Sequence, residues 1–161
     1  VYLPHKLLMY RFMLQRILQL NDVKDDSLFL WGPRQTGKST LLKTLFPEVP
    51  YYDLLKSEEY TKYKLKPSLL REECEMLDAG SVVIIDEVQK IPALLDEVHW
   101  LIVNCDIHFI LCGSSARKLR REGANLLGGR ALRKTMHPLV SAEIPDFDID
   151  KAVNRGMLPR Q

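Results

Sequence analysis

Apolar residues fall along this chain in two kinds of run. Short unbroken runs, "SLFLW" (27–31), "GSVVIID" (80–86) and "IHFILCG" (107–113), have the length of strands buried on both faces, as in a parallel sheet. Longer stretches repeat apolar residues at helical spacing. In "KLLMYRFMLQRILQL" (6–20) the stripe runs through Leu7, Leu8, Phe12, Ile17 and Leu20, and predicts an N-terminal helix that "NDVKDD" then turns into the first strand. Further helices are predicted from the loop after that strand to about Phe46, over 57–64, 67–78 and 93–104, and briefly over 115–121. Short strands are expected at 50–55 and 131–137, followed by a polar tail. Strands alternating with helices predict an α/β fold, a parallel sheet covered on both faces and joined by right-handed crossovers. No internal repeat or low-complexity tract interrupts the alternation.

The 161 residues suit a single domain, with a helix at 6–20, a core over about 27–140 and a tail over 141–161. A net charge of +2 with 27% charged residues announces neither a nucleic-acid nor a membrane surface. No apolar run approaches the ~20 residues of a membrane span, and the first residues lack a signal-peptide pattern, so the expectation is a cytoplasmic protein without a membrane partner. Cys74, Cys105 and Cys112 have neither an even count nor CxxC spacing, and are read as inert thiols. His5, His99, His108 and His137 are scattered and read as structural.

The gap between the first strand and its helix is chemically loaded. In "LFLWGPRQTGKSTLL" the spacing Gly32-x-x-x-x-Gly37-Lys38-Ser39 is that of a loop whose backbone N–H groups curl around an anion. Glycine at 32 and 37 lets the backbone approach, the amides of residues 34 to 38 cradle phosphates, Lys38 reaches the terminal ones, and the Ser39 hydroxyl suits Mg²⁺. A phosphate chain is the expected guest. In a parallel sheet ligands bind beyond the carboxyl ends of the strands, and "VVIIDE" puts Asp86 and Glu87 at that edge. Asp86 can hold the cation that Ser39 touches, and Glu87 can polarise a water for attack on the terminal phosphorus. The second acid favours water as the acceptor over a substrate hydroxyl. No NKxD guanine-reading pattern occurs.

Two further stretches carry candidates. "FILCGSSARKLRR" (109–121) ends a buried strand in Gly113-Ser114-Ser115, whose hydroxyls could meet the attacking water or the terminal phosphate, or cap a helix. "NLLGGRALRK" delivers Arg130 on a glycine-rich loop, within a basic stretch over 117–134 whose one acid is Glu122. Such a stretch serves as a solvated face, a phosphate-reaching arginine, or a surface for an acidic partner or nucleic acid.

Taken in order, "LFLWGPRQTGKSTLL", "VVIIDEVQKIPALLDEVHWLI", "FILCGSSARKL", "NLLGGRA" and "GMLP" closely resemble the bacterial and archaeal AAA-superfamily ATP-binding proteins that join an AAA-type ATPase domain to a C-terminal domain of uncertain function. The likeness runs from about Tyr10 to Pro159. It implies a P-loop NTPase fold, a three-layer α/β/α sandwich with a five-stranded, mainly parallel sheet. It implies a Walker A loop of Gly32, Pro33, Arg34, Gln35, Thr36, Gly37, Lys38, Ser39 and Thr40, a Walker B pair of Asp86 and Glu87, and Ser114 or Ser115 at the sensor-one position. Arg130 resembles the family's arginine at a subunit interface, which implies a homo-oligomer built through that loop. The implied cofactors are ATP and Mg²⁺, and the implied activity is ATP hydrolysis acting on an unknown protein or nucleic-acid partner. Family members continue past "GxLP" into a helical lid, whereas this chain stops at "GMLPRQ"; the alternative is therefore a nucleotide-binding module without turnover.

Overall fold

The computed structural model describes residues 15–20, 23, 25–115, 119 and 127–159. Five strands form one sheet: β1 (Ser27–Trp31), β2 (Tyr51–Asp53), β3 (Val82–Asp86), β4 (His108–Gly113) and β5 (Ala131–Thr135). Their spatial order is β2-β3-β4-β1-β5, and every pairing is parallel. The helices are α1 (Lys38–Leu45), α2 (Ser57–Leu65), α3 (Ser68–Cys74), α4 (Leu94–Cys105) and α5 (Ile149–Arg155), with short 3₁₀ turns at Val88–Lys90, Leu127–Gly129 and Ser141–Glu143.

The unbroken apolar runs become the three central strands because each of their faces meets a helical layer. Alternate residues of β1 part company: Leu28 and Leu30 pack with Leu41 and Leu42 of α1, and with Ile84, Ile110 and Cys112. Phe29 and Trp31 point to the other face, stacked on each other at 5.2 Å between ring centroids, and meet side chains of α2, α3 and α4. The result is a three-layer α/β/α sandwich. Burial pushes the Cys74 thiol up to about 11, and burial and the Asp86 carboxylate push that of Cys112 well above its ordinary range. Both thiols are held protonated at neutral pH, in keeping with inert cysteines.

Two departures from the sequence expectations stand out. Residues 6–14 of the predicted N-terminal helix lie outside the described residues, but 15–20 are not helical. There the Ile17 N–H is taken by the Glu143 carboxylate at 2.8 Å, so a tertiary acceptor replaces the carbonyl a helix would supply. The polar tail is structured. A 3₁₀ turn and α5 occupy it, with Asp148 Oδ1 capping α5 by accepting from the Lys151 N–H at 3.1 Å. The short helix expected at 115–121 lies largely outside the described residues, as does half of the basic stretch over 117–134. Among the described residues, no helix is long and apolar enough to cross a membrane.

Candidate functional site

β1 ends at Trp31 and α1 begins at Lys38, and the six residues between them wrap a concave loop at the carboxyl edge of the sheet. Gly37 reaches φ 90° to start the helix, a backbone that favours glycine, and no side chain caps the first N–H groups of α1. Those amides and the positive end of the helix dipole are what an anion would use. Gly32 is required by close approach: a Cβ there would collide with the Met136 carbonyl, because the Met136 N–H already pairs with the Trp31 carbonyl at 2.7 Å.

Lys38 is buried, and its Nζ donates to the carbonyls of Gly32 (2.7 Å) and Pro33 (2.8 Å). The loop's own carbonyls thus hold the ammonium across its mouth. Thr36 is also buried, and its Oγ1 donates to the Pro33 carbonyl at 2.9 Å, closing the turn. Pro33, Arg34, Gln35 and Thr40 are exposed. Gln35 takes φ 65°, an uncommon left-handed backbone for a residue with a side chain.

The acidic pair lies where β3 meets this loop. Asp86 Oδ2 accepts from the Ser39 hydroxyl and from the Tyr51 phenol, each at 2.6 Å, while Oδ1 accepts from the Glu87 N–H at 3.0 Å. The carboxylate is therefore fixed from three directions. Burial and the hydrogen bond to Asp86 raise the Tyr51 pKa above the ordinary phenol value, so Tyr51 stays a neutral donor. Glu87 turns the chain sharply, at φ 59° and ψ 40°, and its carboxylate accepts from Gln89 Nε2. The same amide nitrogen donates to Ser114 Oγ at 3.2 Å, just past the end of β4. Ser115 follows it, half-buried.

Ser39 and Asp86 offer a hydroxyl and a carboxylate, hard oxygen ligands that suit Mg²⁺. Among the described residues no group of three or more His, Cys, Asp or Glu gathers around one point. A cation here would keep few protein ligands and share itself with phosphates, the usual habit of Mg²⁺.

Arg130 stands apart. It is exposed and precedes β5, whose first residue Ala131 lies in register with Ser27, the first residue of β1. The phosphate loop leaves the opposite end of β1, roughly 16 Å away along a five-residue strand. Arg130 is thus not gathered with the other candidates in its own subunit.

Sequence reading missed Tyr51, Gln89 and a buried anchor beneath the loop. Arg16 Nη1 donates to the Thr36 carbonyl (2.9 Å), Nη2 to the His137 carbonyl (2.6 Å) and Nε to Glu143 (3.1 Å). Glu143 also accepts from the Ile17 and Val140 N–H groups. Gln89 carried a faint signal as a polar residue between Val88 and Ile91. Nothing in the sequence pairs Arg16 with a residue 127 positions on.

The model of the family described as "AAA domain" matches residues 24–145. No curated protein matches the chain. Among solved structures, that of C. elegans PCH-2 is similar with a TM-score of 0.44 and 15% identity, over 77% of this chain and 37% of that one, so the chain spans well under half of that protein's length. With well over half of its residues inside the family model, the chain belongs to the AAA domain family and is an ATPase-type, nucleotide-binding P-loop protein.

Proposed function

We propose that the chain binds ATP with Mg²⁺ at the loop Gly32–Thr40, hydrolyses it to ADP and phosphate, and uses the change to switch an unknown partner. The observation that carries this reading is the 2.6 Å contact between Ser39 and Asp86, made beside a buried lysine and an uncapped helix start. In this reading Lys38 leaves the loop carbonyls for the terminal phosphates, a charge-assisted contact that outweighs two neutral ones. Ser39 and Asp86 would hold Mg²⁺, which when bound offsets charge building on the phosphate oxygens.

Glu87 takes a proton from the attacking water as the bond to the terminal phosphorus forms and ADP leaves. Ser114 or Ser115 donates a hydrogen bond to that phosphate or to the water. Arg130 supplies charge to a neighbouring subunit's site, since its place at the far end of β1 keeps it from its own. The chain is read as one domain acting in the cytoplasm, as a homo-oligomer through the Arg130 loop, on a protein or nucleic-acid partner.

Titration with a fluorescent ATP analogue tests the binding half. Lys38→Ala removes a charge-assisted contact of about 1.5–3 kcal/mol, so affinity should fall at least about tenfold. Asp86→Asn should make the affinity insensitive to Mg²⁺. Equal affinities for the parent and Lys38→Ala would show that the loop is not the nucleotide site.

A further inference from the structure

Gln89 sits between two groups that the hydrolysis reading treats separately. It is 5% exposed, on the 3₁₀ turn after β3, and its Nε2 faces both the Glu87 carboxylate and Ser114 Oγ. Its Oε1 is buried and has no hydrogen-bond partner among the described residues. An orphaned buried amide oxygen is uncommon and needs a reason. The reason is visible in the neighbours. Turning the amide over would bring its oxygen against the Glu87 carboxylate, two acceptors face to face, so the nitrogen must point that way. The oxygen then lies over Gly113, where a Cβ would collide with it, and the glycine that ends β4 is what admits the side chain.

An amide nitrogen carries two hydrogens and a serine hydroxyl one. If Gln89 gives one hydrogen to Glu87 and one to Ser114 Oγ, the serine oxygen is occupied as an acceptor. Its own hydrogen cannot be returned to that amide nitrogen, which leaves it available to a phosphate oxygen or a water. We infer that Gln89 is a positioning residue that couples Ser114 to Glu87, setting Ser114 as a donor toward the terminal phosphate while holding the carboxylate that activates water. The inference deepens the ATP reading and rests on it. It makes the discrimination of ATP from ADP a property of the Gln89 amide as well as of the loop, because only ATP offers the oxygen that Ser114 is set to meet.

The test compares ATP and ADP affinities, by titration with fluorescent analogues, in the parent, Gln89→Met, Ser114→Ala and the double variant. Methionine keeps the length and shape of glutamine without its donors. Gln89→Met should lose most of the parent's preference for ATP over ADP, to about the level of Ser114→Ala. The double variant should lose no more than either single one, as expected for residues acting through one contact. A Gln89→Met variant that keeps the parent's preference, or a double variant whose loss is the product of the two single losses, would overturn the inference. Should Gln89→Met fail to fold, Gln89→Glu carries the same readout: it places a carboxylate against Glu87, and an ATP preference kept at the parent level again overturns the coupling. A parent that binds neither nucleotide overturns the ATP reading and this inference together. A parent that prefers ATP beside a Gln89 variant that prefers it equally overturns this inference alone.

Discussion

At the scale of single residues, the site is built from groups whose partners hold them in one state. Asp86 accepts three hydrogen bonds, from Ser39, Tyr51 and the Glu87 amide, so its carboxylate has little freedom left to lose when a cation arrives. Glu87 occupies left-handed backbone, which costs a residue with a Cβ roughly 1–2 kcal/mol and is tolerated where surroundings over-determine it. Its turn brings the side chain back toward Gln89 and the end of β4 rather than onward into solvent. Tyr51 is the residue whose role is easiest to isolate. Tyr51→Phe removes one donor to a charged acceptor and leaves the ring in place, so the folded state should lose about 1.5–3 kcal/mol. A urea midpoint measured on both proteins checks this. A midpoint that does not move would mean that Ser39 and the Glu87 amide suffice to hold Asp86.

Elements were legible in the sequence to the extent that local pattern decides them. The runs at 27–31, 80–86 and 107–113 are strands because an unbroken apolar segment of that length can be buried on both faces only in the middle of a sheet. The phosphate loop was legible because two glycines, a lysine and a serine at fixed spacing have a chemical reason to be together. What joins the elements was not legible. The Arg16–Glu143 pair brings together the segment before β1, the loop at Thr36, the chain after β5 and the 3₁₀ turn at Ser141–Glu143, and it depends on contacts more than a hundred residues apart. α5 lies in the stretch expected to be a polar tail, and its apolar residues Ile149 and Val153 stay exposed, so no buried stripe announces it. The anchor has a pH signature. Burial raises the Glu143 pKa, but the Ile17 and Val140 amides and Arg16 outweigh it, and the net shift is downward. A carboxylate whose folded pKa lies below its unfolded value contributes stability that is complete above the unfolded value, about 4.3, and is lost as pH falls through the folded one. Glu143→Gln should therefore cost about 2 kcal/mol at pH 7, and the gap to the parent should close below about pH 4. Urea denaturation at several pH values measures it. A gap independent of pH would assign the cost to packing instead.

At the scale of the whole molecule, the strand order puts every candidate except Arg130 at one edge of the sheet. The register of β5 on β1 sets Arg130 at the other end, so in the proposed reading Arg130 would serve a neighbouring subunit's site rather than its own. Arg130→Ala should leave ATP binding intact and reduce hydrolysis by roughly 10³-fold or more. Mixing it with Glu87→Gln should restore activity, because a head-to-tail interface then pairs an intact arginine with an intact base. Mixed assemblies that form yet stay inactive would contradict action between subunits. The central claim, that this site hydrolyses ATP through Glu87, is tested most directly by phosphate release from Mg-ATP in the parent and in Glu87→Gln, with bound ATP measured in both. The account predicts equal binding and a rate lower by about 10²–10⁴ in the variant; equal rates, or a parent that binds ATP and releases no phosphate under any subunit concentration, would contradict it.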